Sequence, residues 1–304
     1  MRVFVAGATG VLGGSAVRGL VAGGHTVTGI ARTAAKRDAL AAAGAASAAA
    51  DLFDPASLRR AVAGHDVVVN LATRIPAPSA ALRAKSWREN DRIRTEASRN
   101  LAEAAAAEGA LRLVQEAVSF VYEDGGEGWI TERQPVRADG FTASSLTATE
   151  NAMSFADAYR FAVVLRLGLV YGDEPVTRWQ LDRVRRGKPA VLGEPAGYLS
   201  PLTVAEAGAA VVAALAAPSG VYNVSGPPVT RAEWAAALGT AAGADGPAKY
   251  YSPLATRLAR RKAEPLLRSQ RISSDAFHNA TGWRAKTTVP EGLGLPGPAR
   301  AGRR

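Results

Sequence analysis

The glycines that follow the first hydrophobic segment constrain the fold more than any other feature of this sequence. The segment Arg2–Ala6 is β-branched and aromatic with no charge after Arg2, which predicts a buried strand. Glycines follow at positions 7, 10 and 13, before a helix predicted to begin near Leu12. Between a strand and a helix, this spacing predicts a turn that offers backbone N–H groups and a helix N-terminus to a pyrophosphate. A strand-turn-helix without a ligand is the alternative.

Each glycine of this turn has a separate role in that interpretation. Gly7 lets the chain leave the strand, Gly10 leaves room for the pyrophosphate to approach the backbone, and Gly13 allows close packing of the helix on the sheet. The residues predicted to bind the cofactor here are Gly7, Thr9, Gly10, Val11, Leu12 and Gly13.

The end of the second predicted strand, His25–Ala31, indicates which cofactor is preferred. A carboxylate at this point would hold a ribose 2′-hydroxyl, but the chain carries Arg32, Lys36 and Arg37, with no acid before Asp38. Arg32 and Arg37 therefore favour NADPH, with NADH as a possible substitute. The alternative is a solvated basic start of a helix.

Three later strand ends complete the predicted cofactor site. A third strand is predicted at Ala48–Leu52, with Asp51 suited to hydrogen-bond an adenine. A fourth, Asp66–Thr73, is almost wholly apolar, as a strand covered on both faces must be, and a sixth is predicted at Arg160–Val170. The further cofactor-binding residues predicted at these ends are Asp51, Leu52, Leu71, Ala72, Thr73, Gly168 and Leu169.

The order of the predicted elements defines the fold class. Strands alternate with helices up to residue 172, which predicts an α/β protein with a Rossmann-type, doubly wound parallel sheet. Beyond that point helices dominate, and they predict a smaller, mostly helical C-terminal part that caps the substrate. We expect a dinucleotide-binding domain at 1–172 with its sheet completed by about 202–224, a substrate-binding cap at 173–201 and 225–290, and a flexible tail at 291–304.

Composition narrows the function classes. The chain has 304 residues, of which 47% are hydrophobic and 21% charged, and no apolar run is long enough to span a membrane. No signal-peptide pattern opens the chain, so we expect a cytoplasmic protein without a membrane partner. No cysteine and only three histidines are present, so no metal site is expected.

The formal net charge of +10 raises the question of a nucleic-acid partner. Much of the excess lies in Arg257–Arg271 and at the C-terminus, without a basic groove lined by aromatic residues. We therefore expect no nucleic-acid partner, and interpret the charge as a basic surface that attracts an anionic cofactor. A monomer or a homodimer is expected.

Several segments make the chain similar to the extended short-chain dehydrogenase/reductase superfamily, in its NAD-dependent epimerase/dehydratase group, over residues 1 to 290. The similar segments are Gly7–Gly13, Asp51–Leu52, Asp66–Ala72, Leu165–Gly172 and Gly220–Val224. The resemblance implies NAD(P) bound across the strand ends. It also implies a Tyr-x-x-x-Lys pair with a Ser or Thr at the site of proton transfer.

The chain departs from the family at that pair. In the family's register it falls at Phe141–Ser145, which reads Phe-Thr-Ala-Ser-Ser, and no Tyr-x-x-x-Lys spacing occurs elsewhere. Alignment on Tyr122 places Val118 at the Ser/Thr position, whereas a shift of one residue places Ser119 there. Ser119 is the candidate for positioning the substrate; a serine that satisfies backbone at a strand end is the alternative.

Without the pair, the chain looks like atypical members of the superfamily such as the angucyclinone ketoreductases of antibiotic biosynthesis. That resemblance implies an NADPH-dependent ketoreductase acting on a ketone of an aromatic polyketide, with the proton supplied by a hydroxyl of the substrate. Side chains suited to line a flat aromatic ligand, although such residues more often simply belong to the core, are Trp87, Tyr122, Phe141 and Trp179. A nucleotide-sugar epimerase or dehydratase, and a non-catalytic NADP(H)-sensing regulator, are the alternatives.

Overall fold

Strands buried on both faces form the centre of the molecule. A computed structural model describes residues 1–295, apart from the side chains of 258–262. Runs such as Val67–Asn70 are wholly buried, because helices cover both faces of the sheet. The described strands are β1 Arg2–Ala6, β2 Thr26–Ile30, β3 Ala46–Ala48, β4 Val67–Asn70, β5 Arg112–Val118, β6 Trp129–Ile130, β7 Phe161–Leu167, β8 Leu169–Tyr171, β9 Tyr198–Leu199, β10 Pro201–Thr203, β11 Gly220–Val224, β12 Val229–Thr230 and β13 Arg271–Ile272.

Helices follow most of the strands of the sheet. A π-helical turn, Ile93–Ala97, joins α4 to α5, so that these elements form one helical segment that is locally widened. The described α-helices are α1 Val11–Ala22, α2 Ala34–Ala42, α3 Pro55–Val62, α4 Arg88–Arg92, α5 Ser98–Ala107, α6 Ala143–Met153, α7 Pro175–Arg185, α8 Val204–Ala213, α9 Arg231–Ala242, α10 Pro253–Leu267, α11 Asp275–Thr281 and α12 Val289–Gly292.

The main sheet has seven parallel strands in the order β11-β7-β5-β4-β1-β2-β3. Val3 pairs with Val27 on β2 and with Val67 on β4, so the chain reverses its direction of winding at β1. This confirms the predicted Rossmann-type fold. In such sheets the crevice at the reversal, outside the carboxyl ends of the strands, is the usual ligand site.

The two faces of the sheet carry separate apolar layers. Val3 and Val5 pack in the layer that includes residues of α1 and α8, whereas Phe4 and Ala6 pack in the layer formed with α3, α5 and α6. The alternation within β1 follows from the two-residue period of a strand. The glycine turn after β1 therefore leaves a strand that is anchored on both faces.

The third strand differs from its prediction at Ala48–Leu52. The structure has β3 at Ala46–Ala48, so the strand ends before Asp51. The Oδ1 atom of Asp51 accepts a hydrogen bond from the Phe53 N–H at 3.0 Å, and Asp54 caps α3 through the N–H groups of Ala56 and Ser57. These turns compete with an extended backbone, which explains the shift.

The sixth strand, predicted at Arg160–Val170, is divided at Gly168. The Gly168 N–H donates to the Val224 carbonyl of the main sheet, but the next N–H, of Leu169, donates to the Ser200 carbonyl. A Cβ atom on Gly168 would lie 2.1 Å from that carbonyl oxygen. Gly168 is therefore the point where the chain leaves the sheet, and β8 pairs with β10 instead.

The C-terminal part packs around its own apolar cluster, which includes Tyr171, Trp234, Leu238 and Val289. Strand β11 returns to the main sheet between α8 and α9, so the two parts interleave along the sequence. The division into domains stays a prediction.

Residues 291–295 belong to the end of α12 and the turn after it, and the rest of the predicted tail lies outside the described residues. Within residues 1–295, no helix is both long and apolar enough to cross a bilayer.

A buried ion pair attaches the π-helical turn to β5. The Nη2 atom of Arg94 donates to Oε1 of Glu116 at 2.7 Å, and the two side chains are only 2% and 8% exposed. The Nε atom of Arg94 and Oε2 of Glu116 have no partner within the described structure. Each charge therefore depends on the other for compensation.

We predict that Arg94→Met destabilises the protein by about 3–5 kcal/mol, because it leaves the Glu116 carboxylate buried without a counter-charge. The double variant Arg94→Met/Glu116→Leu should recover most of this loss, since it removes both charges. Urea unfolding followed by circular dichroism measures both values. A double variant that is less stable than Arg94→Met would contradict this account.

Candidate functional site

The glycine turn brings the start of α1 against the end of β1. Gly7 has φ +76°, in the left-handed region that favours glycine, and a Cβ atom there would lie 2.5 Å from the Leu71 carbonyl oxygen. A Cβ atom on Gly13 would lie 1.9 Å from the Gly7 carbonyl oxygen. The Gly10 N–H donates to that same carbonyl at 2.9 Å. Gly7 and Gly13 are thus required by the packing, whereas Gly10 faces outward.

The N-terminus of α1 differs from those of most other helices. No side chain caps it at Gly10, whereas Thr33 caps α2, Asp54 caps α3 and Glu174 caps α7. The first N–H groups of a helix have no partner within the helix, and the helix dipole makes this end attractive to anions. An uncapped end behind a glycine turn fits a pyrophosphate.

The side chains predicted near the ribose and adenine are exposed. Arg32 and Arg37 follow β2 on the surface, and no ion pair within the described part of the chain includes either of them. Asp51 is also exposed, with its carboxylate turned to the Phe53 N–H, and the Leu52 carbonyl accepts from Asn100 Nδ2 at 3.2 Å. The cofactor roles of these residues stay predictions.

Hydrogen bonds link the carboxyl ends of β4 and β5. Asn70 accepts from the Ala72 N–H at 3.2 Å and donates to Gln115 Oε1 at 2.8 Å. Leu71 and Ala72 are buried beside the glycine turn, and Thr73 is half-buried. The ends of β1, β4 and β5 therefore line the base of the crevice. The glycine turn, the uncapped start of α1 and these strand ends together fit a dinucleotide cofactor.

The positions of the family's catalytic pair hold side chains with other roles. Phe141 lies in a 3₁₀ turn, Gly140–Thr142, and stacks on Trp87 with ring centroids 4.7 Å apart and planes at 22°. Ser145 is buried on α6, where its hydroxyl oxygen accepts from the Val118 N–H at 3.2 Å. The structure thus brings together two of the predicted aromatic residues, Trp87 and Phe141, beside the end of β5.

Tyr122 is held inside the protein. Its hydroxyl donates to Asn223 Oδ1 at 2.8 Å and accepts from Arg166 Nη1 at 2.7 Å, and burial raises the pKa of the Tyr122 hydroxyl. A fully buried phenol with two internal partners is a poor proton donor to a ligand. Ser119 is also buried, in the 3₁₀ turn that follows β5.

Trp179 lies on α7, half-buried, with the Arg183 guanidinium 5.0 Å from its ring. No ring contact within the described residues joins it to the Trp87–Phe141 stack. The expectation that Trp87, Phe141, Tyr122 and Trp179 line one pocket, with Ser119 positioning the substrate, stays a prediction.

Arg268 is a site residue that the sequence did not reveal. It is only 2% exposed at the end of α10, and its Nη1 atom donates to the carbonyls of Tyr122 and Arg137, both at 2.8 Å. Its Nη2 atom lies 3.3 Å from Asp139, which caps the turn that carries Phe141. The residue lies in the stretch Arg257–Arg271 that was interpreted as basic surface. A buried arginine and an exposed one look alike in a sequence.

The described residues offer no group of three or more His, Asp or Glu side chains able to hold a metal ion.

The parallel sheet, the glycine turn and the uncapped helix define a dinucleotide-binding protein of the Rossmann type. Residues 3–224 match the NAD dependent epimerase/dehydratase family. The chain belongs to this family.

The chain is also similar to individual proteins along its whole length. It is 32% identical over 312 residues to a 3-diazoavenalumate denitrifying reductase of a Streptomyces species, covering 97% of this chain and 99% of that protein. Together with the family, this reductase supports an NAD-dependent oxidoreductase.

Two solved structures share the fold. The UDP-glucose 4-epimerase of Thermus thermophilus in complex with NAD is 25% identical with a TM-score of 0.78, over 97% of both chains. The dTDP-glucose 4,6-dehydratase DesIV of Streptomyces venezuelae, a double mutant with NAD bound, is 19% identical with a TM-score of 0.78, over 96% of this chain and 94% of that one. The family match and the NAD-bound UDP-glucose 4-epimerase support a nicotinamide cofactor.

We predict that Gly10→Val keeps the fold but weakens cofactor binding at least about tenfold, because the side chain occupies the path of the pyrophosphate and removes charge-assisted hydrogen bonds. A Cβ atom at Gly10 would meet only the Gly7 carbonyl oxygen, at 3.3 Å, so a small local shift of the turn should be enough for the rest of the fold to form. Thermal unfolding and calorimetric titration with NADPH measure the two effects.

Gly14→Ala, on the same helix, is the matched control. A Cβ atom there would have only the end of the Arg18 side chain nearby, at 3.6 Å, so cofactor affinity should not change. Retained tight binding in Gly10→Val would exclude the proposed pyrophosphate position.

Proposed function

We propose that the protein is an NADPH-dependent reductase of an aromatic small molecule that works without a tyrosine as proton donor. The observation that carries this proposal is the replacement of the family's Tyr and Lys by Phe141, which stacks on Trp87, and by Ser145, which hydrogen-bonds the end of β5. Epimerases and dehydratases of this family begin by removing a hydroxyl proton with that tyrosine. The site therefore favours a simple reduction.

The residues of the site have distinct roles in this proposal. The glycine turn and the start of α1 hold the pyrophosphate, and Arg32 and Arg37 pair with a 2′-phosphate. Trp87 and Phe141 offer an aromatic surface against which a flat substrate packs. When bound, the cofactor supplies a hydride to the substrate. Exclusion of water and alignment of the reacting atoms are the contributions of the protein.

The first candidate substrate is a ketone of an aromatic polyketide, of the angucyclinone type. Reduction of a ketone creates an alkoxide that must gain a proton. A hydroxyl on the substrate itself, next to the ketone, can hydrogen-bond the alkoxide and provide the proton. Ser119 would orient the substrate, because a serine hydroxyl is too weakly acidic to serve as the acid near neutral pH.

The second candidate is an aromatic diazo compound, and the similarity to the 3-diazoavenalumate denitrifying reductase favours it. Transfer of one hydride to an aryl diazonium ion forms a C–H bond, breaks the C–N bond and releases N₂. The charges balance without any added proton. Such a reaction has no need of the missing tyrosine and lysine, so it agrees with the same observation.

A regulator that binds NADP(H) without chemistry is the remaining alternative. Oxidation of NADPH that depends on an added aromatic ketone or diazonium compound would exclude it. Release of N₂, followed by mass spectrometry, separates the diazo substrate from the ketone.

We predict that Arg32→Ala lowers the preference for NADPH over NADH about tenfold or more, since one charge-assisted contact contributes about 1.5–3 kcal/mol. Calorimetric titration with both cofactors measures the ratio of the two affinities. Arg60→Ala, which removes an exposed arginine of α3, is the control and should leave the ratio unchanged. An unchanged ratio in Arg32→Ala would exclude its role at the 2′-phosphate.

We predict that restoring the family pair by Phe141→Tyr and Ser145→Lys does not raise kcat. Lysine at the buried position 145 would break the hydrogen bond to Val118, and the reaction has no use for the added acid.

Ser119→Ala should lower kcat by less than the roughly 100-fold loss expected for a true general acid. With a ketone substrate, converting its neighbouring hydroxyl to a methyl ether should stop turnover while binding remains measurable.

Steady-state rates of NADPH oxidation provide these values. Normal reduction of the methyl ether would mean that the protein supplies the proton. An inactive Ser119→Ala variant that still binds cofactor would mean the same.

A further inference from the structure

The end of the loop between β4 and α4, together with the first residue of α4, carries three cations. Arg83, Lys85 and Arg88 are exposed, and no ion pair within residues 1–295 includes any of them. Of the acids that follow on α4, Glu89 lies 3.8 Å from Arg74, and Asp91 accepts from the Ser144 hydroxyl at 2.8 Å. Three cations without an ion-pair partner in the described structure therefore lie within six residues.

These charges lie next to the aromatic stack of the candidate site. Trp87 is flanked by Lys85 and Arg88, and its indole N–H donates to the Ala81 carbonyl at 2.7 Å, which fixes the ring to the loop. Phe141 stacks on this ring from the turn before α6. The loop itself begins after β4 with Leu71, whose carbonyl lies beside Gly7 in the glycine turn. Lys85 and Arg88 thus lie within two residues of one ring of the aromatic surface proposed for the substrate, and Arg83 within four.

Apolar side chains of the same loop are also left uncovered. Ile75 is 50% exposed and Leu82 is 47% exposed. Surface cations alone are ordinary, because water solvates them well. Cations, exposed aliphatic side chains and an aromatic stack on one loop are together complementary to a ligand that is flat, apolar and negatively charged.

We propose that the substrate of this site is an aromatic carboxylate, held by its ring on Trp87 and Phe141 and by its carboxylate on Arg83, Lys85 and Arg88. This inference rests on the proposed reductase function and narrows its substrate class. Arginine and lysine bind carboxylates through charge-assisted hydrogen bonds, which are stronger than those to a neutral amide or ester. The reacting group then extends from the ring toward the strand ends.

A binding experiment tests the proposal apart from catalysis. Protein loaded with NADP⁺ is titrated calorimetrically with 2-naphthoate and with neutral 2-naphthamide, which have the same rings. We expect the acid to bind about tenfold more tightly at low salt, and the difference to shrink as salt is added. The triple variant Arg83→Gln/Lys85→Gln/Arg88→Gln should bind acid and amide equally, with its unfolding temperature unchanged.

Arg99→Gln is the matched control, since Arg99 is an exposed arginine on α5, which begins beyond the π-helical turn. It should keep the preference for the acid. Equal affinities for acid and amide in the unaltered protein would overturn the proposal, as would an equal loss of preference in Arg99→Gln. Failure of the reductase function looks different, because NADPH would not be oxidised with any aromatic acceptor while the preference for the acid persisted.

Discussion

The close approach of α1 to the end of β1 is the constraint on which the site depends. With hydrogen alone at Gly13, the helix can sit against the Gly7 carbonyl, where a Cβ atom would be only 1.9 Å away. This contact aims the helix N-terminus across the carboxyl ends of the strands. Gly7 in turn lies against the Leu71 carbonyl, so the same turn sets the position of β4. The crevice for the dinucleotide follows from these two contacts.

The fold of the family is retained here while its acid–base machinery is absent. Phe141 and Ser145 occupy the positions of the tyrosine and lysine, and both are used in packing and in binding to β5. The hydroxyl of Tyr122, near the end of β5, is hydrogen-bonded to Arg166 and Asn223. The proposed reductase function rests on this replacement, because an acceptor that brings its own proton or needs none does not require the missing pair.

Arginines have two different uses in this chain. Arg94, Arg231 and Arg268 are buried and bind carboxylates or backbone carbonyls, so they hold segments together. Arg268 in particular joins the turn after β5 to the segment before Phe141. Exposed arginines such as Arg32 and Arg83 form no ion pair within residues 1–295. The net charge of +10 thus combines buried arginines that hold segments together with exposed ones on several surfaces.

The sequence by itself determined the elements whose signals are local. The glycine spacing, the β-branched strands and the alternation of strands with helices specify a Rossmann-type sheet, because each depends on residues close together in the chain. The loss of the tyrosine and lysine is equally visible in the sequence. Contacts between distant residues were decided only by the tertiary structure. The chain leaves the sheet at Gly168 because its N–H donates to Val224 while the next N–H donates to Ser200, and Asp139 contacts Arg268 across 129 positions. Burial of an arginine or stacking of Trp87 on Phe141 depends on which segments the fold brings together, and no local pattern encodes that.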